Sequence, residues 1–258
     1  MAEDIAPALL EKIRADFTRR LGGRKRATEL LELIEGGTGT YQTANDYSKQ
    51  VGEALSEAFH ANLSSDVLPD GRMYYNIADK VIRPLLEDDH ALVSAAAYQV
   101  QQTLNDASGI GLAAQSVPLN ESRVQGFLDR LSSELNYDDV AWILGEPVVN
   151  FSQSVVDESI RLNVEAQGGA GLRPRVVRRA EPRCCKWCSS LDGSYDYPNV
   201  PRDVYRRHEN CRCDVTYDPG SGKRRQDVWT KTWRESADVL KARREYTGLD
   251  LSPMQNNE

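Results

Sequence analysis

The segment 184-CCKWC-188, followed after nineteen residues by 208-HENCRC-213, decides how this chain folds toward its carboxyl-terminal end. Read as spacing, the two segments are Cys-x2-Cys and His-x2-Cys-x-Cys. All five cysteines of the chain and one of its three histidines lie within these thirty residues. Zinc in proteins favours four tetrahedral sulfur or imidazole ligands, often presented by two short knuckles separated by a loop. The spacing therefore predicts one compact metal-binding module.

The two knuckles offer more candidate ligands than one zinc ion needs. Cys213 is the first reserve because, on a strand, its side chain would point to the same face as Cys211. Cys184 is disfavoured because adjacent cysteines rarely aim at one point, and such a thiol can pack as a small apolar group. The preferred ligand set is Cys185, Cys188, His208 and Cys211.

Two other interpretations of the cysteines stay open, namely disulfide pairs and free thiols, either buried or reactive. The amino terminus is acidic and amphipathic and lacks the basic start and apolar run of a signal peptide, so we expect assembly in a reducing cytoplasm, which disfavours stable disulfides. A catalytic zinc keeps one coordination position open and needs a nearby acid or base. Because the cysteines suffice to close the shell, we expect a structural zinc site and no enzymatic activity.

The first 166 residues are predicted to be almost entirely helical, because apolar residues recur there at helical spacing between glycine and turn signals. Asn120 is expected to cap one helix, Pro147 to open another, and Pro84 to kink or break the helix that contains it. The predicted helices cover residues 5–21, 25–34, 41–63, 75–104, 120–131 and 147–164.

The glycine-rich residues 167–171 interrupt this rhythm and predict a boundary. Beyond it, residues 175–179 and 213–217 are predicted strands, residues 191–195 a turn, and residues 232–244 a short helix. The fold class we expect is a mainly α N-terminal domain with a small zinc-stabilised α+β C-terminal module. The expected bounds are 1–166 for the helical domain, 172–248 for the cysteine and histidine module, and 249–258 for a tail.

The net charge of −7 conceals an asymmetry along the chain. Residues 1–170 carry 14 Lys and Arg against 26 Asp and Glu, a net of −12, whereas residues 171–248 carry 18 against 11, a net of +7. Such a reversal suggests that the two regions meet different partners, with the basic region facing DNA or an acidic surface. The alternative is that the basic residues are simply a solvated surface.

The motif resembles the C-terminal signature of Mu F-like phage minor head proteins, the phage head morphogenesis family. In that family a cysteine knuckle precedes a Leu-Asp-Gly turn, and a histidine then precedes a Cys-Arg-Cys strand. This chain has Glu209 where the family more often has proline, which loosens the local turn but leaves the ligands in place. The matching positions are Cys185, Cys188, Leu191, Asp192, Gly193, His208, Cys211, Arg212 and Cys213.

The resemblance covers about thirty residues and implies a minor component of a tailed-phage head. Such a protein would contact the portal or the major capsid protein, sit at the portal or inside the procapsid, and assemble in the host cytoplasm. A zinc-module DNA-binding regulator is the first alternative, with residues 232–244 as a weak recognition helix. A zinc-scaffolded nuclease is the second, although only His60 and His90 remain to supply a base. No apolar run approaches the about 18 residues of a membrane span, so no membrane partner is expected.

Overall fold

The computed structural model of the chain describes residues 4–182, 184–208 and 210–219, all within one compact unit. Six long helices build its body, as the apolar periodicity predicted. Asn120 caps the fifth through its side chain, which accepts from the backbone N–H of Arg123, and Pro147 lies in the first turn of the sixth. The helices are α1 (Ala6–Gly22), α2 (Lys25–Glu35), α3 (Tyr41–Asn62), α4 (Tyr75–Ala107), α5 (Glu121–Leu131) and α6 (Glu146–Gly169).

Helix α4 runs through Pro84 without a break. Proline inside a helix removes one backbone hydrogen bond and costs about 3 kcal/mol. On both sides of Pro84, however, the helix buries fully enclosed side chains, including Val81, Ile82, Leu85 and Leu86. Burial of four such side chains outweighs the cost, since each contributes about 1.5–3 kcal/mol. The predicted break at Pro84 is therefore wrong, and one helix of 33 residues is formed.

Helix α3 lies at the centre of the helical body and packs against α1, α2, α4 and α6. Its contact with α6 is close because Gly52 lacks a side chain. A Cβ atom at Gly52 would lie 2.8 Å from the backbone Cα of Val149 and 2.5 Å from the hydroxyl of Ser152. Glycine therefore sets how near α3 and α6 can approach.

A three-stranded antiparallel sheet follows the helices, in the order β2-β1-β3. The strands are β1 (Arg175–Arg179), β2 (Gly193–Asp196) and β3 (Asp214–Asp218), and α7 (Lys186–Ser190) lies between β1 and β2. β1 matches its predicted bounds and β3 is shifted by one residue, whereas β2 was predicted only as part of a turn. In the register of the sheet, Val176 is opposite both Tyr195 and Tyr217.

The sheet packs directly on the helices, through contacts of β3 with α3 and α6 and of β1 with α6. Val176, Val215 and Tyr217 belong to the same hydrophobic core as the helical side chains. The ring of Tyr197 fills the space beside Gly168, where a Cβ atom would come within 2.5 Å of it. The predicted helix at residues 232–244 and the tail 249–258 lie outside the described residues.

Candidate metal centre

The first knuckle is a single helical turn that begins at one of its own candidate ligands. Cys185 is the N-cap of α7, and its sulfur accepts a hydrogen bond from the backbone N–H of Cys188 at 3.4 Å. This hydrogen bond holds the pKa of the Cys185 thiol below its usual value. Residues three apart in a helical turn lie on one side of it. The Cys-x2-Cys spacing thus brings both sulfurs to the same side.

The second knuckle turns between His208 and Cys213 and ends where β3 begins. The backbone N–H of Cys211 donates to the carbonyl of His208 at 3.2 Å, and Asn210 takes a left-handed conformation with φ 58°. Asn150 of α6 donates to the same His208 carbonyl at 3.3 Å. The turn is therefore held both by its own backbone hydrogen bond and by a hydrogen bond from α6.

The two knuckles meet, and all five predicted candidate ligands gather at one place. The sulfur of Cys188 lies 2.9 Å from Nε2 of His208 and 3.8 Å from the sulfur of Cys211, and Cys185 lies 3.3 Å from the same Nε2. Around a tetrahedral zinc, two sulfurs are separated by about 3.8 Å and sulfur and nitrogen by about 3.6 Å, given the usual bond lengths. The cluster can hold a metal ion.

The candidate ligands form two overlapping triads, in each of which the ligand atoms lie within 4.8 Å of one another. One triad is Cys185, Cys188 and His208, and the other is Cys188, Cys211 and Cys213. Cys188 belongs to both and is fully buried, so it is the central ligand. Cys184 belongs to neither triad and packs at the edge of the cluster, as a thiol that fills space. All five cysteines are free thiols, with none joined in a disulfide.

Arg178 also belongs to the cluster, and it is not among the residues predicted from the sequence. Although it lies in strand β1, its side chain is completely buried, and its Nη2 lies 3.7 Å from the sulfurs of both Cys188 and Cys211. Its Nη1 donates to the carbonyls of Val204 and Arg206 at 2.6 and 2.9 Å. A guanidinium held in this position offsets the negative charge of thiolate ligands. The signal was present, because Arg178 shares the inward face of β1 with Val176.

Burial governs the chemistry of the central thiol. Desolvation raises the pKa of the Cys188 thiol well above its usual value. A metal ion displaces the proton, because only the thiolate is a ligand. The indole of Trp187 packs beside the cluster, with its ring centroid 5.7 Å from that of His208 and 5.5 Å from the Arg178 guanidinium carbon. A tryptophan in this position is a natural reporter of metal loading.

A buried ion pair joins the second knuckle to the helical body. Arg207 and Asp157 contact each other through two hydrogen bonds of 2.5 and 2.8 Å, and their side chains are 2% and 1% exposed. Arg207 also donates to the carbonyl of Cys213 at 2.7 Å and to the side-chain oxygen of Asn45 at 3.2 Å. The Arg207 guanidinium thus links the second knuckle, at Cys213, to both α3 and α6.

Arg212 is one of the motif positions, and its place between two candidate ligands predicts that it holds a carboxylate such as Asp192 or an acidic partner, or that it lies exposed. It does hold a carboxylate, although not that of Asp192. The Arg212 guanidinium instead makes a two-pronged contact with Glu146, at the start of α6. Asp192 accepts from the backbone N–H of Ala180 at 3.0 Å, with Arg179 3.6 Å away. Arg212 points away from the Leu-Asp-Gly turn because its neighbours Cys211 and Cys213 face the cluster.

The positive charge of the module is mostly neutralised in the part that the structure describes. Five of the nine described Lys and Arg residues between positions 172 and 219 pair with carboxylates. The basic excess in the sequence is therefore not a continuous free patch over these residues. The five pairs are Arg175 with Asp196, Arg179 with Asp192, Arg206 with Asp203, Arg207 with Asp157, and Arg212 with Glu146.

The two remaining histidines lie in the helices and do not join the cluster. His60 is exposed at the end of α3, where a ring nitrogen is 2.8 Å from the carbonyl of Ser56. His90 lies in α4 and lines a cavity between α4, α5 and α6. Since the chain has three histidines, no second imidazole is available beside the candidate ligands.

No helix among the described residues combines the length and the apolar character needed to cross a bilayer. Comparisons of the chain with models of known protein families, with curated proteins and with solved structures find no match in any of the three. The geometry of the cysteine and histidine cluster and the resemblance of its motif are accordingly the two grounds on which a function can be proposed.

Proposed function

We propose that this protein is a minor head protein of a tailed bacteriophage, with a structural role in head assembly rather than an enzymatic one. The observation that carries the proposal is the convergence of the motif residues. Cys185, Cys188, His208, Cys211 and Cys213 lie in one cluster, although up to nineteen residues of chain separate the knuckles. The resemblance to Mu F-like proteins rests on the same positions.

The metal we propose is zinc in a closed, structural site. The donor set is sulfur and imidazole, which zinc prefers, and five donors are more than the four that a closed shell requires. A catalytic zinc would need an open position and a nearby base. Among the described residues, the charged side chain that contacts the sulfurs of Cys188 and Cys211 is the Arg178 guanidinium, which cannot accept a proton at neutral pH. The arrangement suits a fold-stabilising ion.

A module held in this way can present a rigid surface to another head protein. The partners we propose are the portal and the major capsid protein, with the acidic helical region as the docking element. The site of action is the virion head, reached through assembly in the host cytoplasm. Contact with packaged DNA would have to come mainly from residues outside the described range, because the basic side chains of the described module are mostly paired.

The two alternatives differ from this proposal in what they require. A DNA-binding regulator needs a basic recognition helix, and its candidate at residues 232–244 lies outside the described residues. A zinc-scaffolded nuclease needs a general base at the metal, and neither His60 nor His90 is part of the cluster. The regulator therefore ranks second and the nuclease third.

Counting this chain against the portal in gradient-purified particles tests the proposal directly. Quantitative mass spectrometry of procapsids and mature heads from the source phage should find a fixed number of copies per portal ring. The control is a sample from which the protein's reading frame has been deleted, which should give fewer or misassembled heads. Absence of the chain from both kinds of particle would overturn the proposal and move the regulator to first place.

A further inference from the structure

A cavity of about 440 Å³, lined by none of the candidate metal ligands, lies between α4, the start of α5, α6 and the segment that leads to His208. This volume falls in the range of small-molecule sites, about 300–1,000 Å³. Its wall is part apolar and part basic. The lining residues include His90, Arg123, Phe151, Val155, Glu158 and Arg207.

Arg123 is the one arginine of this wall that has no carboxylate partner among the described residues. Its Nη1 donates to the hydroxyl of Ser154 at 2.7 Å, and its guanidinium carbon lies 5.6 Å from the centre of the Phe151 ring. No carboxylate among the described residues is within ion-pairing distance of it. Burial lowers the pKa of Arg123 to about 10, so the side chain is charged at neutral pH but incompletely compensated. Such a charge is costly without an anion.

The other charged residues of the wall already have partners. Arg207 pairs with Asp157, Arg206 pairs with Asp203, and Glu158 contacts Arg161 at 2.5 Å. Asp89 lies behind the wall, is hydrogen-bonded by Ser152, and has its pKa raised to about 7 by burial. These pairs are direct contacts, whereas Asp157 and Asp89 act on Arg123 only through longer-range attraction, so Arg123 is the arginine of the wall whose charge has no direct counter-ion.

The wall of the cavity also contains an imidazole and apolar side chains. Nε2 of His90, a residue of the same wall, is buried and has no hydrogen-bond partner within the described part of the chain. Beside it lie the ring of Phe151 and the side chain of Val155, both buried. The cavity thus combines one cationic group, one unpartnered imidazole nitrogen and an apolar surface.

We propose that this cavity binds a small organic carboxylate, with the carboxylate on the free edge of the Arg123 guanidinium and the apolar body against Phe151 and Val155. A guanidinium and a carboxylate match in shape and charge and form two parallel hydrogen bonds. A monoanion fits the single excess charge better than a dianion does. The site is separate from the metal cluster and does not depend on the proposed role in a phage head.

Titration of the zinc-loaded full-length chain with benzoate tests this site, with benzamide as the neutral probe of the same shape. Calorimetry, together with ¹H–¹⁵N spectra of the arginine Nε–H groups, should show saturable benzoate binding with a Kd below about 10 mM. Benzamide should bind at least about tenfold more weakly, because it cannot make the charged contact. Inorganic phosphate at matched ionic strength should also bind more weakly than benzoate.

Arg123→Gln should reduce benzoate affinity at least about tenfold, whereas Arg130→Gln should leave it unchanged. Arg130 is the matched control, because it lies on the same helix, is half exposed and pairs with Glu134. Circular dichroism and the melting temperature establish that both variants are folded. Equal binding of benzoate and benzamide, tighter binding of phosphate, or no benzoate binding by the native protein at about 10 mM would each overturn the proposal.

Discussion

Arg207 and Asp157 form a two-pronged ion pair that is sealed from solvent, with N–O distances of 2.5 and 2.8 Å and side chains 2% and 1% exposed. Asp157 comes from the middle of α6, and Arg207 immediately precedes the candidate ligand His208. Burial works against both charges, so each depends on the other. The metal module and the helical body are thus held together by a contact that fails if either partner is neutralised.

Asp157→Asn should destabilise the protein by about 3–5 kcal/mol, because it leaves the buried Arg207 guanidinium without its counter-charge. The matched control is Glu134→Gln, which neutralises the exposed partner of Arg130 and should cost less than about 1 kcal/mol. Urea unfolding of the zinc-loaded protein, followed by circular dichroism, measures both free energies. Similar costs for the two variants would show that the buried pair is not a major contributor to stability.

Cys188→Ser should abolish zinc binding, because Cys188 is the one ligand shared by the two triads. Cys185→Ser and Cys213→Ser each interrupt a single triad and should weaken binding less, while Cys184→Ser should retain one zinc per chain. Metal content by plasma mass spectrometry provides one readout, and the change in tryptophan fluorescence on chelation, compared with that of a Trp187→Phe variant, provides the other. Full zinc occupancy in the Cys188→Ser variant would contradict the assignment of the central ligand.

Arg178→Gln should lower zinc affinity about 10- to 100-fold, as is typical when a group that supports metal ligands is removed. The physical reason is that the Arg178 guanidinium lies 3.7 Å from two of the sulfurs and offsets their charge. Arg175→Gln is the control on the same strand, since Arg175 is exposed and pairs with Asp196. Competition with a chromophoric chelator measures the affinities. If the two variants lose affinity equally, the effect is not specific to the sulfur contact.

Gly52→Ala should destabilise the protein by about 1–3 kcal/mol, because the added methyl group would press on the backbone of α6 at Val149. Gly126→Ala is the matched control in an open position of α5, where nothing lies within 4 Å of the added atom. That substitution should stabilise by about 0.5–1 kcal/mol through helix propensity. Thermal unfolding of both variants checks the pair, and a stabilised Gly52→Ala protein would show that α3 and α6 are less closely packed.

Asp89 should make stability depend on pH in a particular direction. Burial raises the pKa of this carboxyl from 3.8 to about 7, so between these values the folded protein binds more protons than the unfolded chain. The free energy of unfolding therefore decreases as pH rises from about 4 to about 7, at up to about 1.4 kcal/mol per pH unit, and is constant above. Asp89→Asn should remove this component.

The measurement is the difference in unfolding free energy between Asp89→Asn and the native protein across that pH range. Taking the difference cancels the loss of metal from protonated ligands at low pH, which affects both proteins alike. The variant should gain stability relative to the native protein as pH rises to about 7. A difference that does not vary with pH would show that Asp89 is ionised in the folded protein.

The helices and the candidate metal ligands could be predicted from the sequence, because each is specified by residues that lie close together in the chain. The six helices follow from apolar periodicity, the cap at Asn120 and the glycine breaks, and the candidate ligands follow from their spacing. Strand β2 was missed because its residues, Gly-Ser-Tyr-Asp, carry no apolar alternation and pair only through their register with β1. Its existence depends on a neighbour rather than on its own composition.

Pairings between distant residues were the part that the sequence could not supply. Arg178, Arg207 and Arg212 all look like members of a basic surface, yet two of them are buried and the third binds Glu146, 66 residues away. Which arginine meets which carboxylate depends on how the sheet lies on α6. Charge counting along the chain therefore overstated the basic surface of the module.

The position of β3 at the edge of the sheet, packed against α3 and α6, has a consequence for synthesis on the ribosome. Val215 and Tyr217 complete a core whose other walls are made from residues translated much earlier, beginning with α1. The nascent chain can form its helices as they emerge, but the apolar surface of α3 and α6 that β3 covers stays exposed to water until β3 has left the ribosome. A ribosome that stops before residue 217 would release a polypeptide whose apolar surface on α3 and α6 stays exposed, so we expect such a truncated polypeptide to aggregate.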